Sequence, residues 1–207
     1  MTTEKQQTIT PAMVKKLREL TGAGMMNCKE ALTLHEGNFD KAIEHLRQKG
    51  LASAEKKSVR KAKEGLIEAY IHSGSKLGVL LELNCETDFV ARRPEFKDLA
   101  KSIAMQIASS LTLKYVSLKD IPESLIENEK RIESEKEDIL KKPENIREKI
   151  VLGRVEKTLK EYTLLDQPYI KNQDITIEEL IKQNIALLGE NIQVARFSKF
   201  NLGETNS

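Results

Sequence analysis

Apolar residues recur along this chain at two spacings, and the change from one to the other divides it. Between Thr10 and Gly50 they fall three and four apart: Met13, Leu17 and Leu20, then Cys28, Ala31 and Leu32, then Phe39, Ala42, Ile43 and Leu46. Each set lines one face of a helix. The punctuation agrees. Thr10 and Asn38 are N-cap residues, Pro11 fits the first helical position, and Gly22, Gly37 and Gly50 stand where helices are expected to stop. Helices this short bury little singly, so residues 1–50 are predicted to form a three-helix bundle.

From Leu66 the period shortens. LIEAYIH and LGVLLELNC flank SGSK, which predicts a β-hairpin whose second strand is buried on both faces. Pro94 then opens a helix with Phe96, Leu99, Ile103 and Ile107 inward and Ala100, Ala104 and Ala108 allowing close approach. In the charged run 122–142, Leu125, Ile132 and Ile139 recur at every seventh residue; Pro143 breaks the run, and Ile146, Ile150, Val155 and Leu159 line a second helix. Such narrow apolar seams predict an antiparallel helical hairpin over 122–162 that protrudes. Thr176 and Glu179 form a capping box for a last helix, and IQVARFSKF is a final strand expected to join the hairpin sheet. The fold class is α+β: a bundle at 1–50, a linker at 51–64, and a core at 65–207 with a small antiparallel sheet, flanking helices and the inserted hairpin.

Composition narrows what such a fold can do. Of 207 residues, 32% are charged, yet the net charge is only +2, far from that of a dedicated nucleic-acid binder. Aromatics make up 4% and Trp is absent, which leaves few platforms for stacked bases. Basic residues do gather in the linker (Lys56, Lys57, Arg60, Lys61 and Lys63), so the competing reading is a small RNA-associated module using that segment. The two cysteines, Cys28 and Cys85, lie far apart and outside any CxxC, which fits a reducing, cytoplasmic setting. MTTEKQQTIT lacks the apolar core of a signal peptide, and no run approaches the roughly 18 apolar residues of a membrane span. A soluble intracellular protein is expected.

Catalytic chemistry is hard to place. LTGAGMMNCKE lacks the spacing of a phosphate-binding loop. His35 and His45, expected on the bundle surface, and His72, beside the hairpin turn, have no metal-ligand spacing. Cys85 precedes Glu86 and Asp88, carboxylates that would raise a thiol pKa, so it reads as a small apolar residue ending a buried strand. No active site, metal or cofactor is predicted, and a binding or regulatory protein is favoured. One placement stays open on the residues alone: in LNCETDFVARRP, Phe89 either drops back into the core or is aimed at another molecule.

Two stretches resolve it by resemblance. LRELTGAGMMNCKEAL at 17–32 and LNCETDFVA at 83–91 resemble the two signature regions of the elongation factor Ts family. The likeness runs over essentially the whole chain, in the compact form with one core subdomain. It implies guanine-nucleotide exchange on elongation factor Tu during translation elongation, with no cofactor, no membrane and no direct nucleic acid as partner. It implies a ubiquitin-associated-like fold for the bundle, docking on the GTPase through Lys15, Arg18, Met25 and Met26; one methionine of the last pair is expected to pack inside the bundle. Thr87, Asp88, Phe89 and Val90 match the motif that disturbs the partner's magnesium site. Gln106 stands where many members carry a histidine that engages the partner's distal side. The open sheet edge and the compact form suggest a homodimer.

Overall fold

The computed structural model describes residues 8–204; the polar stretch 1–7, read above for a leader, lies outside the described residues. The chain forms two compact units. The first takes the described residues up to Gly65 with Asn84–Phe96 and Glu179–Gln193. The second takes Leu66–Leu83, Lys97–Glu178 and the described residues from Val194 onward. Among the described residues no helix is long and apolar enough to cross a membrane.

In the first unit, α1 (Pro11–Thr21), α2 (Met25–Leu34) and α3 (Phe39–Lys57) make the expected bundle. Thr10 Oγ accepts from the Met13 amide at 3.3 Å and Asn38 Oδ1 from the Lys41 amide at 3.0 Å, so both predicted caps are made. The core is Val14, Leu17, Cys28, Ala31, Leu32, Ala42 and Leu46. Leu20 is exposed instead of buried, and Val14 takes its place. His35 and His45 are partly buried, not exposed, their rings meeting edge-to-face at 5.3 Å. α3 does not stop at Gly50. A Cβ there would lie 3.1 Å from the Ala186 Cβ, so the glycine permits close helix packing and is no cap. The extension absorbs the first half of the predicted linker and buries Ala54.

In the second unit, β1 (Glu64–Ile71) and β2 (Leu77–Cys85) form the predicted hairpin, though each strand has one end in the first unit. The last strand, β5 (Gln193–Asn201), lies on the other side of β2, giving the order β1-β2-β5. The Leu202 amide donates to the Lys76 carbonyl and Arg196 meets Glu82 at 2.7 Å, so residue numbers rise on one strand as they fall on the other, as in an antiparallel pair. β2 is not buried on both faces. Val79, Leu81, Leu83 and Cys85 are buried, but Leu80 is exposed. It shares an outer sheet face with Ile67, Ile71 and Phe200, all exposed.

After a single helical turn, α4 (Asp88–Ala91), comes α5 (Pro94–Ser109), with the seven predicted positions from Phe96 to Ala108 buried. The charged run is two helices, α6 (Glu123–Ser134) and α7 (Glu137–Leu140), followed after Pro143 by α8 (Glu144–Glu161). The hairpin has its own core of Ile121, Ile139, Val151, Val155 and Leu159, while Ile132 and Ile146 are exposed. Sequence reading missed the small ladder of β3 (Pro168–Tyr169) and β4 (Asn172–Thr176), which precedes α9 (Ile177–Leu188).

The hairpin is also pinned by charge. Arg154 reaches Glu133 Oε1 at 2.9 Å and Asp138 Oδ2 at 2.6 Å, and Lys136 pairs with Glu133 as well. The hydrogen bonds from Lys136 and then Arg154 hold the Glu133 carboxyl below its ordinary range, and Arg154 does the same for Asp138. Depressed carboxylates stabilise the fold above the ordinary carboxylate range, and that contribution is lost as pH falls through the lowered values. Arg154→Ala is therefore expected to lower Tm at pH 7. The gap to wild type should begin to narrow below about pH 4 and close only below the lowered values; a gap independent of pH would assign the loss to packing.

Candidate partner-binding site

The site is built where β2 runs out. Cys85 ends the strand fully buried. Thr87 is extended, at φ −131° and ψ 155°, and its hydroxyl accepts from the Val90 amide at 3.5 Å, so it is the N-cap of α4. Asp88 follows in the first turn and pairs with Arg92 four residues on at 2.6 Å. Val90 and Ala91 are buried. At about 100° of rotation per residue, the residue before them must point the other way. Phe89 does so and is 77% exposed. Phe96, seven residues later, is fully buried.

Such a ring on one turn of helix needs support, and it comes from the residues that join α9 to β5. Gly189 closes α9 with φ +85°, a conformation that favours glycine, and redirects the chain. The next residue, Glu190, brings its carboxylate against the β2–α4 junction. Glu190 Oε2 accepts from the backbone amides of Glu86 and Thr87 at 3.1 and 3.0 Å, and Oε1 accepts from the Thr87 hydroxyl at 2.6 Å. The Asn191 amide donates to Glu86 Oε1 at 2.7 Å, which closes the tie from the other side. Asn191 is itself fully buried, and its Nδ2 donates to the carbonyls of Ser58 and Arg60 at 3.3 and 2.6 Å. Arg60 approaches Glu86 at 3.6 Å. Part of the supposed basic linker is thus bound into the site, while Lys56, Lys61 and Lys63 stay exposed.

Cys85 is no nucleophile. Burial, and next the Glu190 carboxylate, push its thiol up to about 11, and Sγ donates to the Thr87 carbonyl at 3.1 Å. Among the described residues no group of three His, Cys, Asp or Glu side chains could hold a metal ion.

The remaining predicted residues divide between the units. Lys15, Arg18, Met25, Met26 and Thr87–Val90 all belong to the first. Lys15 and Arg18 are exposed. Both methionines are exposed too, Met25 at 45% and Met26 at 76%, so neither packs inside the bundle. Met26 and Leu34 line a shallow depression of about 350 Å³ with Lys29, Glu30 and Thr33. Gln106 belongs to the second unit and is not at the surface. It is 3% exposed; its Nε2 donates to the Pro168 carbonyl at 3.1 Å and its Oε1 accepts from the Ile170 amide at 2.8 Å. Both ends of its amide are thus held by the backbone at 168–170. Glu190 and Asn191 are the residues that sequence reasoning missed. The available signal was a GEN triplet, two of its residues polar, between a helix with a buried apolar face and the final strand.

Comparison with known proteins gives the family. A family model described as "Elongation factor TS" matches residues 7–204. The chain is 63% identical over 196 residues to the chloroplastic elongation factor Ts of Rhodomonas salina, covering 95% of this chain and 90% of that protein. It is 62% identical over 196 residues to elongation factor Ts of Synechocystis sp., with the same coverage. Against the chloroplastic elongation factor Ts of Pyropia yezoensis it is 60% identical over 195 residues, 94% of this chain and 89% of that one.

Proposed function

The chain belongs to the elongation factor Ts family and is a guanine-nucleotide exchange factor for elongation factor Tu; from that premise we propose that the Thr87–Val90 turn carries the exchange chemistry. It is a non-enzymatic factor: it alters the partner's affinity for GDP and makes or breaks no covalent bond. The observation that carries the reading is Phe89, a 77% exposed ring on a turn whose neighbours are buried or hydrogen-bonded.

Exchange requires binding nucleotide-free elongation factor Tu better than the GDP-bound form. Linkage then makes the factor and GDP weaken each other by the same ratio. Magnesium beside the GDP phosphates demands near-ideal octahedral geometry, so a small shift in its shell is costly. Phe89 enters beside that shell and gains apolar burial only when the shell is displaced. Thr87 caps the turn, Asp88 and Arg92 fix its outer side, and Val90 anchors it. The bundle docks through Lys15, Arg18 and the adaptable thioethers of Met25 and Met26. Gln106 contributes to distal recognition indirectly, through the 168–170 loop it holds. The test is release of a fluorescent GDP from elongation factor Tu with wild type and Phe89→Ala, argued in the Discussion.

The same reading places the protein in the cytoplasm and pairs it with a second copy through the outer sheet face, where Ile67, Ile71, Leu80 and Phe200 are exposed. Sedimentation at micromolar concentration is expected to give a dimer that Leu80→Lys dissociates. A monomeric wild type would overturn the pairing and leave the exchange reading intact.

A further inference from the structure

We infer that Glu190 is the positioning residue of the exchange turn: its carboxylate sets the pose of Phe89 by gathering three donors of the β2–α4 junction. The inference rests on the reading that Phe89 drives GDP release. It adds a residue about a hundred positions away, which the signature regions do not contain.

Geometry carries it. Both Glu190 oxygens are used, one by two successive backbone amides and the other by the hydroxyl that caps α4. A single turn of helix has too few internal bonds to hold itself, so its direction depends on what fixes its N-cap. Glu190 is fixed in turn by the residue after it. Asn191 is 0% exposed, and its backbone and side-chain amides both donate to neighbours. The bonds to Glu190 are charge-assisted and engage both of its oxygens, which restricts tilt as well as distance. A turn held this way meets its partner already ordered, and less of the interaction is lost to ordering it.

Two substitutions separate positioning from charge. Glu190→Ala removes all three acceptor contacts. Glu190→Gln keeps one oxygen for the two backbone amides, and its NH2 donates to the Thr87 hydroxyl, which switches from donor to acceptor. Stimulated GDP release from elongation factor Tu is measured for both, alone and combined with Phe89→Ala, with Tm recorded for each. Glu190→Ala is expected to lose about tenfold of the stimulation, Glu190→Gln to stay within about twofold of wild type, and Glu190→Ala to add little in the Phe89→Ala background.

Three results would overturn the inference. One is wild-type stimulation by Glu190→Ala while Phe89→Ala is impaired. Another is a Glu190→Ala loss that persists in full without Phe89, which would mean that Glu190 acts elsewhere. The third is a Glu190→Gln loss as deep as that of Glu190→Ala, which would mean that its charge acts directly on the partner. If Phe89→Ala itself stimulates like wild type, the parent reading fails and this inference falls with it. Should circular dichroism show Glu190→Ala unfolded, Glu190→Asp takes its place. One methylene shorter, it cannot reach all three donors and is expected to be impaired where Glu190→Gln is not.

Discussion

Phe89→Ala is expected to lose about ten- to a hundredfold of the stimulated GDP release while still binding elongation factor Tu. Burying a phenylalanine side chain is worth about 1.5–3 kcal/mol, and each 1.4 kcal/mol is a factor of ten. The ring is 77% exposed in the free protein, so nearly all of that burial is still to be gained on binding. If the gain comes only when the magnesium shell is displaced, it lowers the barrier to release and leaves initial docking alone. Binding is then expected to persist through the docking contacts proposed for Lys15, Arg18 and the two methionines. Folding stability should change by no more than about 0.5 kcal/mol, as for other exposed positions. Stopped-flow release with both proteins decides the matter. Equal stimulation would leave exchange in place and reduce Phe89 to a surface residue.

Phe96→Ala should do the reverse. Phe96 is 0% exposed near the start of α5, and truncating a buried phenylalanine costs about 3–5 kcal/mol through lost transfer energy and the cavity left behind. Against a total of about 5–15 kcal/mol, that is a large share. For a chain of this length Tm should fall by about 6–20 °C, while the fraction that remains folded exchanges GDP normally. Calorimetry beside the GDP assay checks both halves. A Phe96→Ala protein with unchanged Tm and impaired exchange would show that the two aromatics had been given each other's roles.

Only half of that assignment was open in the sequence: of these two phenylalanines, seven residues apart, Phe96 was placed inward and Phe89 was left undecided. The helical period of α5 settles Phe96, because Leu99, Ile103 and Ile107 share its face. No period exists for a one-turn helix, so the placement of Phe89 was not legible without the family resemblance and the structure. The caps at Thr10 and Asn38 were legible because they are local chemistry between near neighbours. Gly50 was misread because its reason is Ala186, which no local rule reaches. Glu190 escaped for the same reason: its partners lie 103 and 104 residues away, and a carboxylate after a helix-ending glycine looks like any solvated turn. Leu80 was placed inside because Val79, Leu80 and Leu81 follow one another without a polar residue, and such a run hides which alternate positions face out.

The clasp between Glu190 and the β2–α4 junction also orders events in time. Synthesis proceeds at about 5–20 residues per second, so Phe89 is made roughly 5–20 s before Glu190. During that interval the turn has no carboxylate to gather its amides. A growing chain therefore carries the aromatic without its mount until the residues that follow α9 have been added.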